Sequence, residues 1–264
     1  MASVAMVIVW TASFVVNDLW CARRLRTETI ETKAALRELR PRFRRTAIMR
    51  LTSISVPLGV VMALISLQAN IPRYILQLYN GEEAVGFFGA IVYPMMAGMV
   101  VTAALGQSAC ARLARFFVED LPAFQRLLGR LTAFSAVLAC VILLGTYVFG
   151  RPLLGMMYGP SFADYYSEFV VVAFAFGIQL VSSCWGYGMT AARSFRAQVA
   201  ITVGSCIVTA VAALLLVPRY GVMGAAQAVL ATSLVMALGF GLGVVRAVRV
   251  QTAARDAEGF KRDA

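Results

Sequence analysis

The sequence predicts an all-α fold, a polytopic membrane bundle of about seven transmembrane helices, and three observations carry that prediction. Of 264 residues, 60% are hydrophobic and only 14% are charged, with a mean hydropathy of +0.78; a soluble domain carries about a quarter charged residues. The charges are clumped into short segments. Between them lie apolar runs that match the ~20 residues a helix needs to cross ~30 Å of hydrocarbon. This composition excludes a soluble globular enzyme, a disordered tail and a disulfide scaffold.

The predicted spans are residues 2–20, 51–71, 84–109, 131–150, 169–191, 197–217 and 222–245. Each is too long for a core strand, and the alternating hydropathy of a membrane barrel is absent, so all are read as helices. Polar breaks at 73–83, 110–130, 151–168, 192–196, 218–221 and from 246 onward separate them. The organisation that follows is a first helix (1–20), a basic linker (21–50), a six-helix bundle (51–245) and a tail (246–264).

Basic residues set the orientation. Taking loops alternately, one side collects 21 Lys and Arg and the other collects three, Arg73, Arg151 and Arg219. The arginine-rich side is expected to be cytoplasmic, which puts the N-terminus outside and the C-terminus inside. The net charge of +11 is then explained by anionic lipid headgroups. No basic stripe interleaved with aromatics lies outside the spans, so no nucleic-acid partner is expected.

The first helix starts at Met1 without the basic n-region of a signal peptide, and Trp20 to Arg26 follow it as a stop-transfer pattern. It is read as the last helix of an otherwise missing first bundle. In the linker, Glu28 and Glu31 stand early, Arg37 and Arg40 late, and Pro41 ends a helical pattern. Its residues Ile30, Ala34, Leu36 and Leu39 form a stripe suited to a membrane surface; a solvated tether fits equally well.

A short internal echo joins Pro72-Arg73-Tyr74 to Pro218-Arg219-Tyr220, each followed by Gly-x-x-Gly-Ala (Gly86 to Ala90, Gly221 to Ala225). Repeated halves are common in transporters. Gly239 and Gly243 form a small-xxx-small pair, expected to serve packing.

With no histidine and five scattered cysteines, neither zinc, haem nor a His-assisted nucleophile has its ligands, and no cofactor is expected. No P-loop or nucleotide fingerprint is present, and the chain is not expected to be an enzyme. Both lysines, Lys33 and Lys261, lie outside the spans, which excludes a retinal Schiff base. No ionisable residue sits near a span centre, where proton and ion relays place them.

The polar residues left for binding are Gln68, Asn70, Arg73 and Gln77, within ten positions at the outer end of one helix, with Gln107 and Gln179 on other spans. Amides and a guanidinium suit the hydroxyls and phosphates of an anionic amphiphile. Snorkelling of Arg73 and helix-bridging amides are the structural alternative. Pro57 with Gly59, and Pro94, are expected to bend or break helices.

The run Asn70-Ile-Pro-Arg-Tyr-Ile-Leu-Gln-Leu-Tyr-Asn-Gly-Glu-Glu-Ala-Val-Gly-Phe-Phe-Gly-Ala90 resembles the seventh-helix exit of polysaccharide (O-antigen-type) flippases. These belong to the multidrug/oligosaccharidyl-lipid/polysaccharide exporter superfamily. Pro152 to Phe162 and Pro218 to Ala226 are similar to further stretches of that family.

The resemblance implies two helical bundles around a polar cavity, of which this chain matches the C-terminal one. It implies alternating access, a lipid-linked glycan of the polyprenyl-diphosphate type as substrate, and Arg73 as the one cationic position carried over. A separate N-terminal half or a second copy of the chain is the implied partner. The localisation implied is the bacterial inner membrane, in lipopolysaccharide or other polysaccharide biosynthesis. A drug or cation antiporter of the same superfamily, an integral-membrane glycosyltransferase or polymerase, and a non-catalytic membrane subunit are the alternatives. The first would want a mid-span acid, and the second a large, polar outer loop.

Overall fold

The computed structural model describes residues 45–263, all of its secondary structure helical. The predicted first span and nearly all of the linker lie outside the described residues. The chain divides into two compact units, Met1–Val56 and Pro57–Ala264, and every side-chain contact and site described below lies in the second.

Five long helices make up the described residues: α1 (Arg45–Glu119), α2 (Leu121–Tyr158), α3 (Tyr166–Ala191), α4 (Phe195–Tyr220) and α5 (Val222–Asp263). A 3₁₀ turn, Pro160–Tyr165, joins α2 to α3. All five long helices are long and apolar enough to cross a membrane, and we read the chain as a multi-pass membrane protein. Helix dominates because hydrocarbon offers peptide groups no water, and a helix satisfies them within the segment.

α1 is two arms in one. Gly81 adopts φ 81° and ψ −178°, a conformation essentially reserved for glycine, and the chain turns there. The segments 51–71 and 84–109 lie on the two arms. The interruption is thus at Asn80-Gly81, a turn dipeptide inside the predicted break 73–83, and not at Pro57, Gly59 or Pro94, whose residues all stay helical. The polar breaks read as loops are also mostly helix. Residues 73–80 and 110–119 continue α1, and α2 carries through Arg151 and Pro152 to Tyr158. Polar side chains near a membrane surface reach water without the backbone having to unwind.

The turns are made by local chemistry. Asp120, in extended conformation, caps α2 by accepting a hydrogen bond from the Ala123 amide (3.0 Å), with Pro122 in the first turn. Arg193 takes φ 54° after α3, and the Ser194 amide reaches back to the Met189 carbonyl at 3.0 Å. Gly221 alone separates α4 from α5.

α3 packs between α2 and α5, and α5 lies between α3 and α4. The first arm of α1 joins α4 and α5 through Gln68, and the second arm meets α2 and α3 at Gly98, beside Ile142 and Leu180. Two apolar cores result. One gathers residues near Gly81, the 3₁₀ turn and Gly221, including Leu76, Ile91, Leu154, Phe169 and Val217. The other lies at the opposite end, around Leu113, Leu121, Phe124 and Leu128, with Val244 and Val248 against it.

Lipid tails are as apolar as leucine, so burial alone does not hold such helices together; close contact does. Accordingly Ala173, Ala175, Ala213, Ala225, Ala226 and Ala228 are fully buried. Gly239 lies under Ile201 and Gly243 under Met189, so this pair serves packing, as its spacing suggests. The internal echo is not a structural repeat. Gly221 takes φ 56° between two helices and Gly224 is pressed against the Leu216 and Val217 backbone, whereas their counterparts are helical, Gly86 with open space beside it and Gly89 meeting only Tyr93 at 3.9 Å.

Two substitutions test this packing. A Cβ at Gly224 would meet the Leu216 carbonyl, so Gly224→Val should force α4 and α5 apart at their turn. Gly81→Ala should cost about 1–3 kcal/mol for the disfavoured backbone. Thermal melting in detergent should place both variants below the parent, and Gly86→Ala beside it.

Candidate functional site

Among the described residues, two sets of polar side chains stand out, one buried between helices and one on the outward face of α1. The buried set crosses the bundle between its two apolar cores. Gln68 Oε1 accepts from the Ser205 hydroxyl of α4 at 2.9 Å, and its Nε2 lies 3.3 Å from the Met236 sulfur of α5. The hydroxyls of Thr209 and Thr232 are 2.7 Å apart, linking α4 to α5. Ser135 meets Cys184 at 3.1 Å, linking α2 to α3. These contacts satisfy groups that hydrocarbon would leave unpaired, and they fix helix register.

The outward set is different. Ser66, Asn70, Arg73 and Gln77 recur at intervals of four, three and four, so at ~100° per residue they line one stripe along the first arm. Gln68 and Ile75, buried, lie about half a turn away from that stripe. The stripe therefore points away from the bundle's own core. Ser66 and Gln77 are exposed, and Asn70 and Arg73 are half-buried. Asn70 Nδ2 donates to the Ser66 carbonyl at 2.8 Å, and Arg73 Nη1 reaches Asn70 Oδ1 at 3.5 Å. No carboxylate pairs with Arg73 among the described residues, where the one ion pair is Arg115 with Glu119 at 3.1 Å. The ladder leaves the guanidinium free to meet an anion.

The six residues singled out from the sequence thus do not form one site. Asn70, Arg73 and Gln77 are together. Gln68 stands among them in sequence but faces the core, where it serves as an interhelical bridge. Gln107 lies on the second arm, about 39 Å beyond Gly81 along the helix, too far to join Arg73. It lies near the Tyr187 phenol, whose ring sits directly on Gly106. Gln179 is half-buried in the middle of α3. Ser66 was missed, though its spacing from Asn70 and Arg73 is the signal that finds it. Asp164 and Glu168 are not paired either: Glu168 accepts from its neighbour Ser167 at 2.9 Å, and Asp164 is exposed. Arg151 stacks on the Tyr166 ring at 5.2 Å, so its charge is already engaged.

Comparison with known proteins gives one relationship that bears on this geometry. The chain is 23% identical over 177 residues to the capsular polysaccharide biosynthesis protein CapF of Staphylococcus aureus. The match covers 66% of this chain and 44% of that protein, so the chain spans less than half the length of its relative. No protein-family model matches the chain, and no solved structure does. Polysaccharide biosynthesis is the setting of that relative; the described residues of this chain supply helices long and apolar enough to span a membrane.

The two polar sets predict opposite responses. Gln68→Ala and Ser205→Ala should each lower stability by about 0.6–1.7 kcal/mol, the range of buried interhelical hydrogen bonds. Gln77→Ala, on the exposed stripe, should leave the melting temperature in detergent unchanged.

Proposed function

We propose that this chain forms part of a transporter that flips a lipid-linked oligosaccharide or polysaccharide precursor across the bacterial inner membrane by alternating access. The observation that carries the reading is the stripe of Ser66, Asn70, Arg73 and Gln77, on the side of α1 turned away from its own bundle. Such a stripe costs free energy where it faces lipid below the headgroups, as Ser66 and Asn70 would. Arg73 and Gln77, nearer the helix end at Gly81, also reach the headgroups by snorkelling. The stripe costs little if it faces a hydrated passage, and polar groups in membrane helices almost always do so or face protein. Amides and a guanidinium are the donors that sugar hydroxyls and a diphosphate require. The likeness to a capsular polysaccharide biosynthesis protein supports the same class of substrate.

In this reading the opposite wall of the passage comes from a separate N-terminal half or a second copy of the chain. The protein acts as a carrier and not as an enzyme. The chain has seven spans, counting residues 2–20, with the N-terminus outside and the C-terminus in the cytoplasm. Arg73 takes the diphosphate, and Asn70 and Gln77 take hydroxyls next to it.

Two experiments test it. Losing a charge-assisted hydrogen bond to a phosphate costs about 1.5–3 kcal/mol. Arg73→Ala should therefore cut surface polysaccharide about tenfold or more in a complementation assay at equal membrane abundance. Wild-type polysaccharide from that variant would remove Arg73 from the site. For topology, Asp164→Cys and Arg196→Cys in a cysteine-free background should react with an impermeant thiol reagent from opposite sides of the membrane. Labelling from the same side would overturn the path of the chain.

A further inference from the structure

A threonine hydroxyl in a membrane helix is usually satisfied by the carbonyl four residues earlier. Thr132, Thr190, Thr202, Thr209, Thr232 and Thr252 all follow this rule, donating at 2.7–3.0 Å. Thr102, in the middle of the second arm of α1, does not. It is 1% exposed, and its Oγ1 is buried with no hydrogen-bond partner among the described residues. A hydroxyl left unpaired in such surroundings is costly, so its neighbourhood matters.

Thr102 stands one turn from Gly98 and one turn from Gly106, and both glycines are pressed under neighbouring side chains. A Cβ on Gly98 would stand 2.7 Å from Ile142 of α2 and 3.6 Å from Leu180 of α3, and the Tyr187 ring of α3 covers Gly106. The second arm and α3 start from the same end of the bundle and run the same way. Leu180, Cys184 and Tyr187, at i, i+4 and i+7, share one face of α3, so Cys184 is the residue level with Thr102. Cys184 is buried, its Sγ 3.1 Å from Ser135 Oγ of α2 and 3.7 Å from the Leu131 carbonyl. Ser135 is buried too, seven residues before Ile142 and therefore on the same face of α2. Three buried polar side chains from three helices thus meet at one depth. Two are bonded to each other and the third is not.

We propose that one internal water molecule joins Thr102 to the Ser135–Cys184 pair. The donor and acceptor count allows it. Ser135 Oγ has a lone pair beyond its bond to Cys184, and the Gly98 carbonyl keeps the one that Thr102 leaves untaken. With the Thr102 hydroxyl these make the three partners typical of a buried water. Every group is neutral, which suits water and not an ion. The water ties the second arm to α2 and α3 through an exchangeable joint, whereas Gln68 ties the first arm to α4 directly. It lies on the other arm from the Arg73 stripe and is independent of the cargo.

Thr102→Val removes the hydroxyl at nearly constant volume, and Thr102→Ser keeps it. Both are compared with the parent in the full chain, purified in detergent. Replacing Cys21, Cys110, Cys140 and Cys206 with Ala leaves Cys184 as the sole thiol. Its S–H stretch is followed by infrared spectroscopy after transfer to D2O, since a water on the pair supplies deuterons to a thiol that is otherwise buried. Thr102→Val should slow that exchange at least tenfold, move the S–H band and lower the melting temperature by about 2–4 °C. Thr102→Ser should match the parent in all three. If the cysteine-depleted protein does not fold, the melting temperatures in the native background decide. A raised melting temperature means a hydroxyl buried dry, and an unchanged one means a hydroxyl turned back on Gly98; either overturns the proposal. So do an S–H band and an exchange rate indifferent to Thr102→Val.

Discussion

In hydrocarbon no water is present to satisfy a peptide group or a polar side chain, and the described structure follows from that one constraint. The backbone answers it by staying helical even where the sequence turns polar, so that α1 continues through Arg73 and α2 through Arg151. The helices then hold to one another by contact, through fully buried alanines such as Ala173 and Ala226 and through Gly224 against the Leu216 backbone. Polar side chains divide accordingly. Those facing the bundle find each other, as Gln68 finds Ser205 and Thr209 finds Thr232. Those facing away need something outside the bundle.

The stripe on α1 belongs to the second group, and this gives it more weight than the identity of any one residue. Gln68 and Asn70 are two positions apart and equally polar, yet they do unrelated things. A helix turns them about 200° from each other, so one bridges α1 to α4 while the other braces Arg73. Arg73 is distinguished from Arg151 and Arg219 in the same way. Arg151 is spent on the Tyr166 ring and Arg219 lies at the very end of α4, beside the Gly221 turn.

Much of the helical content was legible because long charge-free runs have no other stable form in a membrane. The break in α1 was legible too, since the predicted break 73–83 contains Asn80-Gly81, whereas Pro57 and Pro94, expected to bend or break helices, do not interrupt one. Those prolines stay within the helix, as membrane helices tolerate. Reading residues 73–83 as a loop treated polarity as a helix breaker, which it is not. The stripe itself obeys a 3.6-residue period and needed only Ser66 added. What no periodicity gives is the partner across a helix pair. That Ser205 and Met236 meet Gln68, or that Tyr187 meets Gln107, depends on helix register, which is set by packing throughout the bundle.

Water access along α1 tests the central claim most directly. Single cysteines at Ser66 and Asn70 would lie on the stripe, and cysteines at Ile65 and Leu67, both exposed apolar positions, would lie beside it at the same depth. In membranes, a small charged thiol reagent should modify positions 66 and 70 and spare 65 and 67. Protection of all four, or modification of all four alike, would contradict a hydrated passage on this face of the helix.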